Sequence, residues 1–102
     1  MSYDVTLLPG DGIGPEVMEA TLRVLDATPL EFNWDRHRII GTQAVEEDRP
    51  ALPDDVVKSI HETKCALKGP ITTPVGEGFM SVNVQLRQEL DLHANIRPCR
   101  HL

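Results

Sequence analysis

Hydrophobic and polar positions change their period several times along this chain, and each change marks an element. Residues 4–8 (DVTLL) form an apolar run that stops at Pro9-Gly10, which reads as a short strand entering a turn. Beyond it Pro15 suits the first helical position, and Glu16 lies in the first turn, where the helix dipole favours an acid. Val17, Ala20, Leu22, Val24 and Leu25 then give an apolar stripe to about residue 27, and Pro29 closes that helix. Residues 30–34 (LEFNW) alternate as a second strand.

From residue 41 to 50 the pattern is ambiguous: residues 43–48 suit either a short helix or a solvated acidic loop. Residues 53–62 read as a helix opened by Pro53-Asp54-Asp55, again with acids in the first turn. Residues 65–67 (CAL) look like a short buried strand. Residues 69–78, with two prolines and three glycines, read as a loop, and residues 81–90 as a further helix. Strands alternating with helices predict an α/β fold with helices packed on a sheet. At 102 residues the chain is one small domain or part of a larger one, with no internal repeat and no low-complexity linker.

The formal charge of −6 argues against nucleic acid as a partner. Its distribution matters more than its total. Nearly all the excess acid lies before residue 81, so an anion site belongs toward the C-terminal end, where Arg87, Arg97, Arg100, His93 and His101 are found. Cys65 and Cys99 have no metal-ligand spacing and no secretory context, and read as reduced, buried packing residues of an intracellular protein. Asp4 and Asp11 interrupt any signal peptide, and no apolar run approaches the ~18–20 residues of a membrane span. Pairs of acids such as Asp54-Asp55 read as solvated helix starts, and the four histidines show no zinc spacing.

Three motifs carry candidate chemistry. Gly10-Asp11-Gly12-Ile13-Gly14 lies between strand and helix, but Pro15 and Glu16 stand where the dinucleotide fingerprint needs a free residue and its last glycine, so this is not an ordinary Rossmann fold. The glycines instead permit a tight turn whose loop can still approach a ligand. In Lys68-Gly69-Pro70-Ile71-Thr72-Thr73-Pro74, a lysine at a strand end precedes two hydroxyls in a Gly/Pro loop. It could face a phosphate or a cofactor amide, or it could be a turn whose threonines satisfy their own backbone. In residues 81–98 (SVNVQLRQELDLHANIRP), Asn83 and Arg87 are one turn apart on a single helix face, Ser81 stands at the helix start, and Arg97 arrives on a following strand. Two guanidinium forks with short polar donors suit a small polycarboxylate. The simpler reading pairs Arg87 with Glu89 or Asp91 and leaves Ser81 as an N-cap.

Taken together, LPGDGIGPEV at 8–17, KGPITTPVG at 68–76 and SVNVQLRQELDLHANIRP at 81–98 resemble the amino-terminal part of the β-decarboxylating dehydrogenases that act on 2-hydroxy acids. Within that family the Ser-x-Asn start resembles isocitrate dehydrogenase. The resemblance implies helices packed on a mixed sheet, with residues 1–102 forming the N-terminal segment of the large, cofactor-side domain. It implies that Ser81, Asn83, Arg87 and Arg97 bind isocitrate carboxylates, and that Thr72 contacts the nicotinamide end of NAD or NADP with Lys68 close by. The implied reaction is hydride transfer to the cofactor, then loss of CO2 with Mg2+ or Mn2+ stabilising the enolate. The family's metal aspartates and its catalytic tyrosine and lysine lie after the segment matched, so no catalytic or metal residue is carried onto this chain and no turnover is expected from it alone. The full-length form is expected to be a homodimer of the cytoplasm or mitochondrial matrix, with no nucleic-acid or membrane partner. Alternatives are a homoisocitrate or isopropylmalate dehydrogenase and a non-catalytic regulatory or interaction protein on the same scaffold.

Overall fold

A computed structural model describes residues 1–72 and 80–101. Their elements run β1 (Ser2–Leu8), α1 (Gly14–Asp26), β2 (Glu31–Arg36), α2 (Thr42–Glu46), α3 (Asp54–Thr63), β3 (Ala66–Lys68) and α4 (Val82–Glu89). The ambiguous segment after Gly41 is thus a short helix. β1 is central, in the order β2-β1-β3, and both its neighbours run parallel to it. The antiparallel strand that a mixed sheet needs is not among the described residues.

Side chains alternate across a strand, so consecutive residues of β1 serve opposite layers. Leu7 meets Met18 and Leu22 of α1, with Trp34 and Leu67 packed beside them. Leu8, on the other face, joins Ile40, Ala51, Leu52, Val56, Ile60, Val82 and Leu86 in the larger core. Each fully buried leucine is worth roughly 1.5–3 kcal/mol over leaving it in water. The expected stripe on α1 is corrected: Gly14, Met18 and Leu22, four apart, are buried, whereas Val17 and Val24 are exposed. On β2, Phe32 and Trp34 share a face and stack with their ring centroids 4.9 Å apart.

Two further expectations are overturned. Cys65 and Cys99 are both exposed, not buried. Cys65 precedes β3, a three-residue strand at the rim of the described sheet with only Leu67 partly covered. Residues 92–101 form no strand, because a strand exists only by pairing and this segment pairs with none of the described strands; Asp91, in the left-handed region (φ 51°), follows the end of α4.

Candidate functional site

In open parallel sheets ligands gather beyond the carboxyl ends of the strands, and here two loops meet at that point. The loop after β1 and the one after β3 are stitched together by backbone: Gly69 N–H donates to Leu8 O at 2.7 Å and Asp11 N–H to Pro70 O at 3.1 Å. Gly10 makes the approach possible. Its φ of +84° is costly for any side chain, and a Cβ there would overlap the Pro70 carbonyl. The glycine motif therefore works by close packing of one loop on another.

Asp11, which the sequence reading did not single out, holds the second loop in place. Its Oδ1 accepts from the backbone N–H of Thr72 at 2.8 Å and from the Thr72 hydroxyl at 2.7 Å. Its Oδ2 is buried with no hydrogen-bond partner among the described residues. An acid flanked by glycines in an otherwise uncharged loop was the available signal. Thr73, the other hydroxyl of that motif, lies outside the described residues.

The second wall is α4. Val82 and Leu86 bury its inner side, and Asn83 and Arg87 flank a cavity of about 210 Å³ that also takes in Lys68, Leu90 and Leu92. Asn83 Oδ1 is buried with no hydrogen-bond partner among the described residues. Lys68 Nζ donates to Gly69 O at 2.8 Å, and its pKa is lowered, chiefly by burial and secondly by the positive charge of Arg87. Neither cation forms an ion pair among the described residues. Another cleft, of about 260 Å³, gathers Arg36, Arg38 and Arg49, but Arg36 already pairs with Glu19 and Arg49 with Asp55.

The sequence-predicted residues are thus brought together unequally. Asn83, Arg87 and Lys68 line one cavity. Ser81 is the N-cap of α4, yet its side chain makes no capping hydrogen bond, so its hydroxyl is not committed to the helix. Thr72 lies in the loop after β3, where Asp11 holds it, and Arg97 is exposed in the irregular segment after α4. No group of three or more His, Cys, Asp or Glu side chains among the described residues could hold a metal ion.

Comparison with known proteins matches residues 4–102 to the family model described as isocitrate/isopropylmalate dehydrogenase. The chain is 39% identical over 98 residues to the mitochondrial NAD-type isocitrate dehydrogenase subunit 2 of Schizosaccharomyces pombe, covering 96% of this chain and 25% of that protein. It is 40% identical over 97 residues to the chloroplastic 3-isopropylmalate dehydrogenase of Solanum tuberosum, covering 95% of this chain and 27% of that one. The crystal structure of isocitrate dehydrogenase from Methylococcus capsulatus superposes with a TM-score of 0.80 at 47% identity, over 88% of this chain and 26% of that chain. The chain therefore spans about a quarter of the length of these relatives.

Proposed function

Because the chain belongs to the isocitrate/isopropylmalate dehydrogenase family, we propose that it forms one wall of the substrate pocket of an NAD- or NADP-dependent isocitrate dehydrogenase. Ser81, Asn83, Arg87 and Arg97 take the carboxylates of isocitrate, and Thr72, with Lys68 near it, takes the nicotinamide end of the cofactor. The observation that carries this reading is the pair of cations, Lys68 and Arg87, without counter-ions among the described residues, beside the unpartnered amide oxygen of Asn83. Two like charges in a partly desolvated cleft cost free energy that an anionic ligand recovers.

When bound, the cofactor would supply a hydride acceptor for oxidation of the hydroxyl-bearing carbon of isocitrate, with 2-oxoglutarate and CO2 as the products of the decarboxylation that follows. This chain's part is positional: a guanidinium fork fixes a carboxylate in two-point contact, and Thr72 holds the cofactor's amide so that donor and acceptor carbons line up. With no metal-ligand cluster among the described residues, no step here is assigned to Mg2+ or Mn2+. Residues 1–102 alone give no turnover on this reading; the working protein is longer, a homodimer of the cytoplasm or of the mitochondrial matrix.

The leucine lining of the cavity, Leu86, Leu90 and Leu92, favours a second reading, in which a branched alkyl substituent as in 3-isopropylmalate is accommodated. Initial rates of the full-length protein with each acid, with NAD and with NADP, separate the two. Isocitrate-dependent reduction of the cofactor is expected; turnover of 3-isopropylmalate alone replaces the first reading with the second, and turnover of neither acid points to a non-catalytic protein.

A further inference from the structure

Thr72 has its backbone N–H and its hydroxyl on one oxygen, Asp11 Oδ1, at 2.8 and 2.7 Å. A carboxylate oxygen at this distance can only accept, so the single proton of the Thr72 hydroxyl is committed to it. What the hydroxyl presents elsewhere is lone pairs. A free threonine rotates and serves as donor or acceptor as needed; this one has been given a fixed polarity. The clamp reaches across 61 residues of sequence and is held by the stitched loops, with Gly41 close enough that a Cβ there would lie 3.3 Å from Asp11 Oδ2 and 2.9 Å from Thr72 O.

We infer that Asp11 is a positioning residue that fixes Thr72 as an obligate hydrogen-bond acceptor, so that the site selects a cofactor head group bearing an N–H donor, a carboxamide, over one bearing only a carbonyl. This rests on the reading that Thr72 meets the nicotinamide end. The two fail differently. A methyl ketone in place of the carboxamide keeps the carbonyl but has no N–H, so facing Thr72 it leaves a lone pair unmatched in both partners. Leaving a polar group unsatisfied costs more than a hydrogen bond is worth on balance, so discrimination of about 10-fold follows.

The test is binding without turnover. Dissociation constants of the full-length enzyme for its dinucleotide and for the 3-acetylpyridine analogue are measured by calorimetry, in wild type, Thr72→Val, Asp11→Ala and Asp11→Asn. Wild type is expected to prefer the carboxamide by about 10-fold. Thr72→Val and Asp11→Ala should bring the ratio close to one. Asp11→Asn, which keeps an acceptor oxygen in place, should retain most of the preference. A wild-type ratio in Thr72→Val removes Thr72 from the nicotinamide and the underlying reading with it. Loss of the preference in Thr72→Val together with its full retention in Asp11→Ala overturns the role of Asp11 alone. If Asp11→Ala does not fold, Asp11→Ser, whose hydroxyl is too short to reach Thr72, is read in its place by the same criteria.

Discussion

Helices α3 and α4 both lie on the core around Leu8, yet they treat their polar side chains in opposite ways. On α3, buried Ser59 donates to Asp35 of β2 and accepts from Thr6 of β1 at 2.7 Å, while the Thr63 hydroxyl lies 2.8 Å from Thr6 and 2.9 Å from the Cys65 carbonyl, its single proton serving one of the two at a time. Asp35 in turn meets His37 at 3.0 Å. Helix and sheet are thereby tied together, and the network closes within the protein. On α4, among the described residues, Asn83 has a buried oxygen with no partner, Arg87 has no counter-ion and Ser81 makes no cap bond. Satisfied polar groups hold a structure together; groups left open at a cost mark a place where something else binds.

The sharpest way to break this contrast is a negative charge at Ser81. Aspartate is a good N-cap, so Ser81→Asp should leave α4 as stable as before or slightly more so. If the hydroxyl faces a substrate carboxylate, the same change repels the ligand, and isocitrate affinity of the full-length protein should fall by about 100-fold, roughly 2.7 kcal/mol. Ser81→Ala should lose only a fraction of that. Equal affinities in wild type, Ser81→Ala and Ser81→Asp would make Ser81 a cap and nothing more.

Next in size is Arg87→Lys. It keeps the charge and removes the fork, so kcat/KM for isocitrate should drop by about 10-fold, ~1.4 kcal/mol, with little change in thermal stability. Arg97→Lys should behave alike only where Arg97 also reaches the substrate. Unchanged kinetics at both positions would return α4 to a solvated face.

Much of this was legible in the chain. The apolar run before Pro9-Gly10, the proline and acids opening α1 and α3, and the Asn83–Arg87 spacing are local signals, and the elements formed there. What was not legible depends on partners far away in sequence. The Asp11–Thr72 clamp spans 61 residues and the Thr6–Ser59 bond 53, and nothing local distinguishes such a threonine or serine from a solvated one. Cys65 looked buried because its run is apolar, but it enters a strand at the rim of the described sheet. Arg97 was expected on a strand after α4, but a strand depends on a partner elsewhere in the chain, and its segment pairs with none of the described strands.

Stability measurements sharpen the contrast further. Ser59→Ala removes a buried group bonded on both sides and should cost about 1 kcal/mol or somewhat more in equilibrium urea unfolding. Asn83→Ala deletes an oxygen whose burial is already unpaid, so it should cost distinctly less. Equal losses at the two positions would show that Asn83 is as structural as Ser59.

The smallest effect is in acid. The Ser59 hydroxyl, and after it His37, holds the Asp35 carboxyl below its ordinary value of 3.8, against a minor opposing effect of burial. The folded carboxylate therefore refuses a proton that the unfolded chain accepts. Its contribution is fully present above pH 3.8 and is lost as pH falls through the lower folded value. The Asp35 side chain is 55% exposed, so solvent screens the interaction and the contribution is small. The urea midpoint of wild type should exceed that of Ser59→Ala by a constant margin from neutral pH down toward 3.8, and the margin should narrow below it. A margin that stays constant into acid would mean that Ser59 stabilises the fold through Thr6 alone, and that the network on α3 ends at β1 without reaching the charge on β2.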